Sequence, residues 1–125
     1  MKFTSFHPLI VTKDSESAIA TFEALGFQRN HCITVNSSGK DITTVCMKNA
    51  DGFHVDIAQT DDIPQDLTLI RMNVDNFEEA HEFLKSKGFT NSKGDEHTVE
   101  TRTNKSCMMI SPSGFAFDLC QHIKE

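Results

Sequence analysis

The chain says nearly the same thing twice. Residues 52–59 read GFHVDIAQ, and 62 positions later residues 114–121 read GFAFDLCQ. The shift of 62 carries Asp56 onto Asp118 and Gln59 onto Gln121, and it also carries Gly26-Phe27 onto Gly88-Phe89. Two copies of 62 residues account for all but one of the 125. A repeat of this length constrains the architecture more than any single element, because each copy must fold alike. It also says where a site belongs, since paired modules place equivalent side chains around a shared axis.

Each copy reads as one β-α-β-β-β module. The first strands are 3–12 and 67–74, where apolar residues alternate and then run together. A helix follows each. Asp14 is the N-cap of the first, Ile19, Phe22 and Leu25 recur at helical spacing, and Gly26 ends it. In the second, Asn76 and Glu79 have capping-box spacing, Phe77, Ala80, Phe83 and Leu84 make the apolar stripe, and Gly88 ends it. Further strands are expected near 27–35, 42–48 and 53–59, then near 89–92, 97–103, 107–111 and 115–121. The segment 60–66 is the linker, with Pro64 as a breaker. The expected fold is therefore α+β: a single domain over 1–125, with module one at 1–62 and module two at 63–125.

Composition narrows the function. Apolar content of 38% and charged content of 24% fit a soluble globular domain with one core. The net charge of −6 is spread over both modules with no basic patch, which argues against nucleic acid and anionic membranes as partners. No apolar run is long enough to cross a bilayer, and the N-terminal segment is too polar for a signal peptide. Cys32, Cys46, Cys107 and Cys120 form no C-x-x-C pair and read as reduced thiols, so the cytoplasm is the expected compartment.

The order of these blocks resembles the vicinal oxygen chelate superfamily, which holds glyoxalases, bleomycin-resistance proteins and extradiol dioxygenases. The resembling features are His7 ahead of Thr12-Lys13-Asp14, the helix ending Leu25-Gly26-Phe27, Val74-Asp75 before the second helix, and Pro112-Ser113-Gly114 before the last strand. The resemblance implies mixed sheets that curl around a shared cleft. It also implies a divalent metal held by a His on each first strand and a Glu on each last strand. His7 matches one such position, and Asp56 and Asp118 match two more with a shorter carboxylate. The fourth fails, because His7 shifted by 62 is Leu69.

The residues themselves leave two answers open. An Asp in an apolar strand must be paired, hydrogen-bonded, neutral or metal-bound. His7, Asp56 and Asp118 offer a mixed oxygen and nitrogen set for Zn, Ni, Mn or Fe, and His54 shares the strand face of Asp56 and is a replacement imidazole. Arg71 is the competing answer. It lies mid-strand on the face of the missing ligand, and it either neutralises a carboxylate without any metal or meets an anionic substrate. His31, His81, His97 and His122 follow no site spacing, and no base is placed to activate Cys120.

Two functions follow from this. The first is a small-molecule-binding protein, with Arg71, His54 and Asn73 as polar anchors and Met47 and Met109 in the walls or the core. The second is a metal-dependent lyase, isomerase or dioxygenase-like enzyme using His7, Asp56 and Asp118. A scaffold that has lost both roles is a weaker third. A homodimer is an open expectation if the first strands expose their edges.

Overall fold

The computed structural model describes residues 1–37, 40–61, 63–92, 94, 99–100 and 104–122. In chain order the elements are β1 (Phe3–Thr12), α1 (Ser15–Ala24), β2 (Gln28–Ser37), β3 (Lys40–Lys48), β4 (His54–Gln59), β5 (Leu67–Val74), α2 (Phe77–Ser86), β6 (Thr90–Asn91), β7 (Val99–Glu100), β8 (Asn104–Ile110) and β9 (Ala116–His122). Two β-α-β-β-β-like modules are present, and the second carries one extra short strand. Most of the strand expected at 97–103 lies outside the described residues.

The chain divides into two compact units, His7–Thr68 and Met1–Phe6 with Leu69–Glu125. In the unit of 7–68 the strand order is β2-β3-β4-β1, with β1 parallel to β4 and the other pairs antiparallel. In the unit that includes 69–125 it is β1-β5-β9-β8-β6, with β5 parallel to β9 and β7 also on β8. Pro8 lacks an N–H, and the register of β1 with β4 begins just after it, at Leu9↔Asp56.

One expectation fails here. The mixed sheets do not curl around a shared cleft. The strand path is open and runs out at β2 and β6, and among the described residues no pair joins these ends. Closing a sheet needs strands long enough to tilt and stagger against one another. The terminal β6 is two residues long, so the ladder stops there.

Both helices are entered alike. The Asp14 carboxylate accepts from Ser17 N–H at 3.1 Å, and Asn76 Oδ1 accepts from Glu79 N–H at 3.0 Å. The Gln at the end of each last strand adds a second clamp. Gln59 Oε1 accepts from Ser15 N–H at 2.8 Å while its amide donates to the Lys13 carbonyl. Gln121 Oε1 accepts from Phe77 N–H at 2.7 Å while its amide donates to the Asp75 carbonyl. Two of the four N–H groups that a helix start leaves open are thereby satisfied in each module.

The helix ends match as well. Phe27 N–H donates to the Phe22 carbonyl and Gly26 N–H to that of Glu23, and Phe89 and Gly88 repeat the pattern onto Leu84 and Lys85. This Schellman geometry needs a left-handed residue, supplied by Gly26 at φ 100° and Gly88 at φ 93°. Phe22 and Phe27 meet edge to face across the first end.

Each helix covers one sheet face. Ile19 of α1 packs on Val45, Met47, Val55 and Ile57. Phe77, Ala80 and Leu84 of α2 pack on Met72, Val74, Cys107, Met109 and Leu119. Phe83 departs from the expected stripe. It is exposed, with the Lys87 ammonium over its ring, and His81 is buried in its stead. Residues 77, 80, 81 and 84 share one helical face, whereas 83 points about 100° away from it.

Gly88 carries an extra constraint, because a Cβ there would lie 3.0 Å from Pro112 Cγ, whereas one at Gly26 would meet open space. Gly26→Ala should cost about 1–2 kcal/mol from the left-handed backbone alone, and Gly88→Ala should cost more. Urea denaturation of the two variants orders them, and equal losses would mean that Pro112 yields freely.

Candidate functional site

Strand alternation places the polar candidates opposite the helices. In the unit of 7–68 the α1 side of the sheet takes Val45, Met47, Val55 and Ile57. The other side therefore carries Thr44, Cys46, Asp56, Ala58 and Leu9, all buried. Asp56 is 3% exposed and stands in register between Leu9 and Cys46, neither of which can neutralise it. His7, two residues before Leu9, reaches it diagonally. His7 Nε2 lies 2.8 Å from Asp56 Oδ2. The exposed His54 has its ring centroid 5.7 Å from that of His7. His7 Nδ1 is buried and finds no protein partner.

The other unit repeats the backbone and changes the partner. Arg71↔Asp118 is the pair Leu9↔Asp56 moved on by 62 residues. Arg71 Nε and Nη2 both donate to Asp118 Oδ2, each at 2.9 Å. The Cys120 Sγ sits 3.5 Å from the same oxygen. Burial above all, and then the Asp118 charge, push the Cys120 thiol well above its ordinary pKa, against a smaller opposing pull from Arg71. This thiol is protonated at neutral pH and is not a nucleophile. Asn73, in register with Cys120, donates to Ser5 Oγ, and its Oδ1 is buried without a protein partner.

The broken correspondence in the repeat thus has a mate. His7 maps onto Leu69, and Leu9 maps onto Arg71. Each module supplies one group to its own carboxylate, from positions two residues apart on the first strand. Of the three metal candidates, His7 and Asp56 are brought together and bond to each other. Asp118 lies in the other unit and is held by Arg71. Among the described residues no group of three or more His, Cys, Asp or Glu side chains is placed to hold a metal ion. Asp118 Oδ2 already carries the Arg71 guanidinium, and His7 Nε2 and Asp56 Oδ2 are already bonded to each other.

The remaining candidates are placed as follows. Met47 and Met109 are fully buried in the two helix-side cores, on the sheet faces opposite Asp56 and Asp118. His81 is buried against Phe77, His31 and His122 are exposed, and His97 lies outside the described residues. Sequence reasoning missed Ser5. The available signal was alternation, which puts Ser5 on the strand face of His7.

No family model and no curated protein matches this sequence. Solved structures do. A V278E variant of glyoxalase I from Zea mays has a TM-score of 0.68 at 15% identity over 98% of this chain and 44% of that one. A glyoxalase/bleomycin resistance protein/dioxygenase superfamily member from Vibrio splendidus 12B01 has a TM-score of 0.61 at 17% identity, over 96% of this chain and 99% of that one. A variant of 4-hydroxymandelate synthase from Streptomyces coelicolor has a TM-score of 0.61 at 10% identity, over 99% of this chain and 49% of that one. The chain therefore spans about half the length of the maize and Streptomyces proteins. At these identities the likeness is one of fold.

Arg71→Leu installs the residue that the repeat has at Leu9 and strips Asp118 of its cation. It should cost about 3 kcal/mol, because a largely buried carboxylate loses its partner. Adding Asp118→Asn should restore part of that stability. Equilibrium denaturation of both variants measures it, and a loss below about 0.5 kcal/mol for Arg71→Leu would show an idle pair. In the native protein iodoacetamide should label the exposed Cys32 well before the buried Cys120, as mass spectrometry of timed samples would read.

Proposed function

We propose that this chain, which has the fold of the vicinal oxygen chelate superfamily, is a small-molecule-binding protein that holds its ligand on the sheet faces turned away from the helices. The carrying observation is the state of the polar groups there. Both carboxylates are already matched by a cationic or hydrogen-bonding partner, while buried atoms of His7 and Asn73 have no protein partner. Buried polar atoms of that kind are costly unless water or a ligand completes them. In this reading Arg71 and Asn73 are the anchors on the face of the unit that includes 69–125, and His54 is the anchor on the face of the unit of 7–68. Free, mostly buried thiols suit a reducing compartment, and the reading places the protein in the cytoplasm. Among the described residues no helix is long and apolar enough to cross a membrane.

The alternative is a metal-dependent lyase or isomerase using His7, Asp56 and Asp118. Thermal melts separate the two. EDTA should leave Tm unchanged, and Mn, Ni, Zn or Fe(II) should not raise it. A bound organic ligand at a hundred times its Kd should stabilise the fold by about 2.7 kcal/mol. A metal-induced rise in Tm that His7→Ala abolishes would replace the binding reading with the enzymatic one.

A further inference from the structure

We propose that the ligand of the Asn73 face is an uncharged, partly apolar molecule that donates a hydroxyl or amide hydrogen to Asn73 Oδ1. The inference rests on the small-molecule-binding reading and names the ligand's class. Among the described residues, Arg71 and Asp118 are the side chains of fixed charge on the strand face that β5 and β9 turn away from α2, and they pair with each other. An anion bound there would face Asp118, and a cation would face Arg71. Either would have to loosen a pair whose two members are only 15% and 16% exposed. An uncharged molecule meets neither cost. Asn73 is 7% exposed, its amide nitrogen is held by Ser5, and its buried Oδ1 finds no protein partner. A buried acceptor left empty is penalised, and a ligand O–H or N–H relieves it. Ala116 and Met108 lie on the same face in the β8–β9 register and supply apolar surface for the rest of the ligand.

A matched series tests the class, because only the head group changes: benzamide, benzyl alcohol, benzoate and benzylammonium. Binding is read from the side-chain amide resonance of Asn73 and from Tm. Benzamide and benzyl alcohol should move that resonance and bind about tenfold more tightly than the two ions. Asn73→Leu should weaken benzamide about fivefold, the worth of one hydrogen bond. That variant should still fold, since it replaces a partly unsatisfied polar group with an apolar one of similar size. Equal or tighter binding of benzoate or benzylammonium would overturn the inference. Benzamide binding that leaves the Asn73 resonance unmoved would overturn it too, while leaving the binding reading intact. If no member of the series moves any resonance, both fall.

Discussion

A carboxylate in the middle of an apolar strand must be neutralised, and the layout of both helix-free faces follows from that need. Asp56 and Asp118 occupy equivalent positions, each on a last strand beside a first strand. With no partner, either would carry a desolvation penalty that a domain of this size cannot absorb. His7 and Arg71 meet the need differently. The imidazole reaches Asp56 diagonally from two residues along its strand, and the guanidinium grips Asp118 from directly beside it. Asp56 is met by one imidazole nitrogen, and Asp118 by two guanidinium N–H groups. The two modules therefore share a backbone and differ in electrostatic character.

Much of this was legible in the residues. The 62-residue shift predicts the strand pairing position by position, because Leu9↔Asp56 and Arg71↔Asp118 obey it. β1 and β5 match the expected 3–12 and 67–74, since alternation and apolar runs act locally. The helix starts and stops were equally clear from Asp14, Asn76, Gly26 and Gly88, whose roles depend on neighbours within one turn. Two expectations failed, one within a helix and one across the sheet. Phe83 looked buried by spacing, yet it points off the packed face of α2. Curled sheets came with the family resemblance, whereas strand pairing depends on how far each ladder extends, and β6 ends after two residues.

The candidate site was half legible. Alternation correctly sorts Asp56 with His54 and Asp118 with Cys120, because side-chain direction in a strand has a strict period. Which partner each acid takes is a matter of reach across strands. Leu9, Arg71 and His7 differ in length and angle, and one sequence does not order their distances. Gln59 and Gln121 show the same limit. Their match across the repeat was visible, but not that both reach back some 44 residues to hold a helix start.

The division between the two units falls inside β1 and β5, not in the linker at 60–66. The cuts at 6/7 and 68/69 are themselves 62 residues apart, so each module lends its own first six residues to the other unit. Ser5, which pins Asn73, belongs to such a loaned segment. A polypeptide beginning at residue 63 would lack Ser5, and with it the hydroxyl that holds the Asn73 amide.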